Sequence, residues 1–338
     1  MAGRIRATLR RAGRRTNVAL LILLVGAFLS GWAAFAAGTD LPSRLTTVGH
    51  GLLGLGVVVL TPWKTVVARR APALRVASLA LAAVIVVCLV AGFVEVFVGY
   101  RLVAGISPIQ VHVGAAFVAV PLLVWHLVPH GRGQGLRRAD VSRRQLLRTA
   151  GFAAGIGAAY AGLEGVGRLT GLPSGRRIAS GSHRIAPEAI PATIWLLDRV
   201  PALPADHRVR VDGREIPMAA LAAQAAPVRA RLDCTSGWFA DAEWSGVALS
   251  SLIPADRLEA AATIVVTSVT GYRRRFPVTD ADALWLATSF SGGPLSRGTG
   301  APVRLVAPGR RGFWWVKWVA SVELSDTPAY AQSPFPLQ

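Results

Sequence analysis

Charged side chains are scarce in this 338-residue chain, 16% against an average of about 25% for soluble proteins, while apolar residues reach 52%. So little charge cannot keep the whole chain in water, and part of it must lie in lipid. Acids are scarcer than bases, 18 against 37, which gives a net charge of +19 at neutral pH. An excess of that size suits a nucleic-acid binder unless it is confined to the flanks of membrane segments. Only two cysteines occur, Cys88 inside an apolar run and Cys234 in a polar half, so no disulfide framework exists and each thiol needs its own explanation. Residues 170–338 contain no G-x-S-x-G, P-loop, H-E-x-x-H or paired-cysteine zinc spacing, and their only histidines are His183 and His207. The usual support for a hydrolase, nucleotide or zinc reading is therefore missing. No internal repeat is apparent, and the length allows two domains or three.

Uncharged stretches at 16–39, 45–63, 76–94 and 102–129 each approach or exceed the ~20 residues that span a bilayer as helix. They predict four transmembrane helices. Sixteen Lys and Arg with a single acid, Asp140, fall in 1–17, 64–75 and 130–148, whereas 170–338 hold eighteen bases and fourteen acids. The excess charge is thus topological, and a nucleic-acid role is disfavoured. Alternation of Arg-rich and Arg-poor loops places the N-terminus in the cytoplasm. A weaker Gly- and Ala-rich fifth segment at 149–167, interrupted by Glu164, would carry the rest of the chain to the outer side. Before it, Ser142-Arg143-Arg144-Gln145-Leu146-Leu147-Arg148 resembles the twin-arginine export signal, which implies export of an already folded domain by the twin-arginine machinery. The same arginines also read as a plain positive-inside flank. The expected localisation is the cell membrane, multi-pass in the lipid bilayer, with an extracytoplasmic C-terminal domain.

Four of the six histidines, His50, His112, His126 and His130, lie in the membrane half. His50 is near the start of the second helix and His112 near the start of the fourth, both on the outer side in this orientation, so they can meet at one depth. Two imidazoles facing each other from neighbouring helices are the axial pair that a b-type haem needs. Hydrogen bonding within the bundle and quinone binding are the competing readings. His126, about 21 Å further along the helix axis than His112, has no histidine opposite it, because the first and third helices contain none. It and His130 are expected at the cytoplasmic interface. Cys88 reads as a packing residue, and Glu95 as a helix-end charge or a proton-handling group.

After the Gly171-Leu172-Pro173-Ser174-Gly175 linker, apolar runs bounded by turn signals predict strands at His207 to Val211, Val228 to Leu232, Thr263 to Ser268, Pro302 to Val306 and Phe313 to Val319. Met218 to Ala225 and Val247 to Ile253 predict short helices. By chemistry alone Cys234 reads as a buried unreactive thiol or as a soft metal ligand.

Three ordered motifs bear on that choice: Cys234-Thr235-Ser236-Gly237-Trp238 with Trp244-Ser245-Gly246-Val247, then Gly300-Ala301-Pro302-Val303-Arg304-Leu305-Val306-Ala307-Pro308-Gly309, then Gly312-Phe313-Trp314-Trp315-Val316-Lys317-Trp318. Together they resemble the molybdopterin-binding domain of the sulfite oxidase superfamily, and within it the periplasmic methionine sulfoxide reductase catalytic subunit and its bacterial relatives. The resemblance implies one molybdenum held by a pterin dithiolene, with Cys234 as its protein ligand and catalytic residue. It implies that Thr267 contacts the cofactor, that Arg304 and Lys317 grip the pterin phosphate, and that Trp315 and Val316 add backbone contacts. A guanidinium fork and an ammonium point charge suit phosphate oxygens. Thr299 stands where the family usually has a cofactor-contacting Asn or His. The Asn-rich segment upstream has no clear counterpart in Ile194 to Leu203, and Ser236 sits where branches of the family differ in substrate. Arg273-Arg274-Arg275 reads either as an anionic entrance or as a solvated charge run.

The expectation is a multidomain chain, an N-terminal all-α transmembrane helical bundle plus a C-terminal α+β sulfite oxidase-like molybdopterin-binding domain. Its parts are a four-helix bundle at 1–130 with a candidate haem site at His50 and His112, a twin-arginine-like segment and fifth membrane segment at 131–169, a linker and domain entry at 170–204, and the oxidoreductase domain at 205–338. The expected function is two-electron oxygen-atom transfer on a small-molecule S- or N-oxide or a sulfite-like substrate, with electrons exchanged through the bundle with a membrane quinone or other carrier. The expected cofactors are molybdenum-molybdopterin and one haem b. The alternative is a cofactor-less sensory or assembly protein that keeps the fold, for which Thr299 and the missing upstream segment are the warning signs.

Overall fold

A computed structural model describes residues 13–37, 40–69, 76–130, 142–192 and 199–335. They form two compact units, Met1–His183 and Arg184–Gln338, divided inside the stretch expected as linker. The basic loop at 131–141 lies outside the described residues, as do 193–198 in the segment where an Asn-rich counterpart was sought.

The first unit is helical: α1 (Arg14–Ala36), α2 (Asp40–Arg69), α3 (Val76–Val98), α4 (Pro108–His130) and α5 (Arg143–Leu169). The first four carry apolar windows long enough to cross a membrane. Their outward faces keep large apolar side chains such as Leu29, Val87 and Trp125 exposed, as lipid-facing helices do. Helix α1 packs on α2 and α3 on α4, and an edge-on contact of Phe28 with Phe117 at 5.8 Å ties α1 to α4. Helix α5 covers the expected fifth segment and packs on α2, with the Tyr160 ring against Gly51. With Arg143, Arg144, Arg148, Glu164 and Arg168 in its 27 residues it is not among the four candidate spans. Its start is capped by Ser142, whose hydroxyl accepts from the Gln145 amide.

The second unit is mixed. Its strands and helices are β1 (His183–Arg184), which starts on the last residue of the first unit, β2 (Arg208–Val211), β3 (Arg214–Pro217), α6 (Met218–Ala223), β4 (Ala226–Asp233), β5 (Trp238–Ala248), α7 (Leu249–Leu252), α8 (Ala255–Glu259), β6 (Thr263–Ser268), β7 (Arg273–Pro277), β8 (Trp285–Phe290), β9 (Gly293–Pro294), β10 (Arg304–Val306) and β11 (Val319–Ser325). One sheet runs β1-β5-β8-β10 with β4 on β5 and β9 on β8; the other runs β3-β2-β11-β6-β7. In the second sheet β11 is parallel to β2 and antiparallel to β6. Alternation along its strands sends Val209, Val211, Ile264, Val266, Phe276 and Val322 into the core.

The predicted strands at 207–211, 228–232, 263–268 and 302–306 and the helix at Met218 are present within a few residues. Two predictions differ. Val247 and Ala248 end strand β5, leaving only Leu249–Leu252 helical. The run Phe313 to Val319 is not a strand: Gly312–Trp314 is a 3-10 turn and β11 starts at Val319. Its backbone is diverted because the Trp315 carbonyl accepts from Arg304 Nη2 at 3.5 Å, the Val316 carbonyl accepts from the Leu305 amide at 2.7 Å, and Trp318 turns the chain at φ +51°.

Candidate functional site

Cys234 is the first residue of the four-residue loop that joins β4 to β5, whose last pair is Asp233 with Phe239. Its amide donates to the Trp238 carbonyl at 2.8 Å and its carbonyl accepts from Gly237 at 3.2 Å, so backbone bonds fix the residue in the loop. Cys234 is buried, and neither cysteine of the chain is in a disulfide.

Two arginines are buried with it. Arg304, on β10, is 2% exposed and has no acid partner among the described residues; its guanidinium lies over the Trp244 ring at 4.9 Å and the Trp315 ring at 5.5 Å. Nη1 donates to the Thr299 carbonyl at 2.9 Å, while Nε has no acceptor. Burial pulls the Arg304 guanidinium down to about 10, and the Cys234 sulfur opposes that shift, which puts the two groups in electrostatic contact. Arg311 is 5% exposed; it pairs with Asp233 at 3.0 Å and reaches the Cys234 carbonyl at 3.5 Å, and its Nε also lacks an acceptor. Trp238 Nε1 is a third buried donor without a partner.

The loop 297–299 gathers the remaining pieces. Its successive carbonyls accept from Trp318 Nε1 at 2.8 Å, Lys317 Nζ at 2.8 Å and Arg304 Nη1. Gly300 closes the loop at φ +114°, where a Cβ would stand 3.0 Å from the Arg304 Cβ and 3.2 Å from the Lys317 Cβ. Five of the expected residues, Cys234, Thr299, Arg304, Trp315 and Lys317, are therefore linked, and Val316 is fully buried beside them. Thr299 takes part through its carbonyl; its hydroxyl is tied to Ser296 of its own turn at 2.9 Å. Thr267 does not join. It stands half-buried on the face of β6 opposite Val266, beside Ser321 and Arg273 on the neighbouring strands.

Three buried N–H donors without an acceptor, on Arg304, Arg311 and Trp238, in the part of the fold that also buries Cys234, call for an acceptor-rich, anionic occupant. Among the described residues no three His, Cys, Asp or Glu side chains converge to hold a bare ion. A metal here must bring most of its own ligands, as a dithiolene cofactor does. The residues present fit that group.

Residues 198–333 match the family described as the oxidoreductase molybdopterin binding domain. The second unit is an oxidoreductase molybdopterin-binding domain. The solved sulfane dehydrogenase SoxCD from Paracoccus pantotrophus is similar to part of the chain, at 24% identity over 38% of this chain and 40% of that one, with a TM-score of 0.34. The chain thus spans less than half the length of that relative. No curated protein matches it. The described residues thus combine an oxidoreductase molybdopterin-binding domain with four helices long and apolar enough to cross a membrane.

Sequence reasoning missed Arg311 and misread the arginine run. Arg311 adjoins Gly312 of the third motif, but its partner Asp233 is far away in sequence. Arg274 is neither at an entrance nor solvated: it is fully buried among Tyr272, Phe313 and Trp314, with Nε donating to the Tyr272 hydroxyl at 2.7 Å and Nη1 to the Ser333 carbonyl at 2.6 Å. The Asp233–Arg311 pair makes a prediction of its own. Asp233→Asn leaves the Arg311 charge buried without its counter-ion and is expected to cost about 3 kcal/mol. The double variant Asp233→Asn with Arg311→Met recovers part of that loss, as thermal unfolding of the four proteins of the cycle would show.

In the helical unit His50 and His112 meet, with ring centroids 5.6 Å apart and planes at 89°. His50 Nδ1 donates to the Ala27 carbonyl at 2.9 Å and His112 Nδ1 to the Cys88 carbonyl at 2.8 Å. Each ring also lies against a glycine, Gly31 for His50 and Gly92 for His112. Cys88 is thus a neighbour of His112, its sulfur 3.4 Å from Nδ1, as well as a packing residue. His126 bonds through Nδ1 to the Ser78 hydroxyl at 3.0 Å and faces no second imidazole among the described residues. The side chain of His130 lies outside the described residues.

Proposed function

We propose that the chain reduces a small S- or N-oxide on the outer side of the cell membrane, with electrons drawn from the membrane through a single haem. The observation that carries the reading is the buried Cys234 with the unsatisfied donors of Arg304, Arg311 and Trp238 around it. When bound, the molybdenum cofactor supplies two-electron oxygen-atom transfer, in which a sulfoxide, two protons and two electrons give the sulfide and one water.

The protein's own residues do the rest. Cys234 offers a thiolate from a loop fixed by backbone bonds. Arg304 and Lys317, converging on Gly300, hold the pterin phosphate, the first as a fork and the second as a point charge. Trp244 and Trp315 wall the Arg304 guanidinium off from water, which strengthens its grip on an anion. The Val316 carbonyl accepts from the Leu305 amide beside Arg304, and the Trp315 carbonyl accepts from the Arg304 side chain itself. Thr267 keeps a cofactor role only if the cofactor reaches the outer face of β6.

The haem reading rests on the His50–His112 pair. A backbone carbonyl on each Nδ1–H fixes the tautomer and leaves Nε2 as the ligating atom on both rings. His50→Ala or His112→Ala is expected to abolish the Soret band of the purified protein; a full band in either variant removes the site. An N-terminus in the cytoplasm, passage of the C-terminal domain by the twin-arginine machinery and a quinone as electron partner complete the proposal. Its supports are the basic loops and the Ser142 to Arg148 segment. The direction is tested by assaying dimethyl sulfoxide, methionine sulfoxide and trimethylamine N-oxide with reduced viologen, and sulfite with ferricyanide. Turnover of an oxide alone is expected; turnover of sulfite alone reverses the proposed direction.

A further inference from the structure

Glu95 and His183 form a buried pair that the molybdopterin chemistry does not use. Glu95 lies one turn beyond Gly92, the residue of α3 whose Cβ position is 2.9 Å from His112 Nδ1. Residues three apart share a helix face, so Glu95 points toward α4, ~4.5 Å further along the axis than Gly92. It is 5% exposed, and neither oxygen of its carboxylate has a hydrogen-bond partner. A carboxylate held out of water, with only the Ile109 amide and the His183 ring close to it, is costly, and inside a membrane segment such a group marks function more often than structure.

The surroundings do not need that charge. Ser107 and Gln110 cap the start of α4 by exchanging backbone and side-chain bonds, at 2.8 Å and 3.4 Å, with Pro108 between them at the first helical position. The Ile109 amide faces Glu95 from that first turn. His183, 6% exposed, donates Nε2–H to the Glu95 carbonyl at 2.7 Å and lies 3.9 Å from its carboxylate. The other charged group facing the pair is Arg177, already neutralised by Glu164 at 2.5 Å. Tyr160 interacts with Arg177 and lies against Gly51, the neighbour of His50. All of these groups belong to the first unit.

Two proton acceptors are left. Burial holds the His183 imidazole below its usual range, assisted by Arg177 and opposed by the hydrogen bond to Glu95; with Nε2–H donated to the Glu95 carbonyl, Nδ1 is the ring nitrogen that carries the lone pair. Beside this end of α3 the chain projects an exposed apolar turn, Leu102, Val103 and Ile106, closed by a Val103–Ile106 bridge. An exposed apolar turn at the end of a candidate membrane span suits a ligand that arrives through lipid.

We propose that Glu95 and His183 are the proton-accepting side of a quinol site at the His50–His112 end of the bundle. The inference rests on the haem reading above. Both O–H bonds of the quinol break, one proton passing to the Glu95 carboxylate and the other to the His183 imidazole. The two electrons released with them would be taken up one at a time by a haem held between His50 and His112, which would supply one-electron chemistry there.

The test uses the full chain in detergent, with duroquinol as donor and anaerobic stopped-flow reading of the haem band. Glu95→Gln and His183→Gln keep size and polarity, and the glutamine at 183 still donates to the Glu95 carbonyl, but neither new side chain accepts a proton. Each is expected to slow duroquinol-driven haem reduction by about a hundredfold, the scale of a lost general base, while dithionite still reduces the full amount of haem. The rise of the wild-type rate with pH is expected to flatten in Glu95→Gln. Rates within twofold of wild type sink the proposal, and so does a loss of dithionite-reducible haem, which assigns the pair to packing. If Glu95→Gln does not accumulate, His183→Gln decides alone. Absence of a haem band in the wild type instead overturns the haem reading itself.

Discussion

Cys234→Ser is expected to lower turnover at least about a thousand-fold, roughly 4 kcal/mol of transition-state stabilisation, while the protein stays folded. The loop at 234–237 is held by the Cys234 amide on Trp238 and the Gly237 amide on Cys234, and a serine keeps both bonds. The side-chain volume hardly changes, so the stability cost is about 1 kcal/mol. What changes is the ligand atom: a hydroxyl is a poor donor to a transition metal that a soft thiolate holds well. Turnover, molybdenum content and the melting curve should be measured on one preparation. Activity above a tenth of wild type in the serine variant means that Cys234 is not the ligand.

Arg304→Met separates the protein's stability from its cofactor. In the cofactor-free domain the Arg304 charge is fully buried, with no acid partner and with Nε unsatisfied. Its ionisation falls to about 10 on folding, below the unfolded value. The sign follows from linkage. Between about 10 and the unfolded value the unfolded chain binds the extra proton, so stability rises with pH there, and at every lower pH the charged side chain is a constant penalty. Methionine fills similar space without the charge, so the cofactor-free variant is expected to melt at or above the wild-type temperature. Cofactor retention moves the opposite way. Losing the fork onto the pterin phosphate is expected to weaken binding at least about a hundredfold, and the stabilisation that a bound cofactor confers by mass action goes with it. Arg304→Lys does not restore binding, because an ammonium supplies a point charge where a planar fork is needed. Molybdenum retained through gel filtration and melting of the cofactor-free protein check both halves. A cofactor-free Arg304→Met that melts several degrees lower while keeping its molybdenum contradicts the assignment.

What could be read from the sequence depended on how local the signal was. Long uncharged stretches made α1 to α4 legible, because a bilayer sets helix length directly. The His50–His112 meeting followed from depth counting alone, since both residues lie near the same ends of their helices. The partners of that pair, Ala27 and Cys88, were not legible, because the face that Cys88 turns inward depends on how α3 rotates against α4. In the second unit the isolated apolar runs gave β2, β4 and β6. Strand β5 was missed because Asp241, Glu243 and Gly246 interrupt its pattern, although Trp238, Ala240, Ala242 and Trp244 are buried on one face. The Phe313 to Val319 run failed for a different reason: tryptophans with high strand propensity are used there to enclose Arg304, and tertiary packing overrides the local preference. In the arginine run, period-two alternation on β7 was the usable signal, placing Arg274 and Phe276 inward together. Of the candidate site, Cys234, Arg304 and Lys317 were singled out through ordered motifs. Arg311 was not, because its partner Asp233 meets it only when the third motif folds back beside the β4–β5 loop.

The central claim is that Cys234 and its buried arginines hold molybdenum in a protein that also carries electrons through its helices. The most direct test is the metal content of the full chain, purified in detergent from a molybdenum-replete host, together with its reduced-minus-oxidised visible spectrum. The account predicts one molybdenum per chain, lost in Cys234→Ser, and a b-type band lost in His50→Ala. Protein that is folded and pure yet contains no molybdenum contradicts it and turns the same fold into a binding or assembly module.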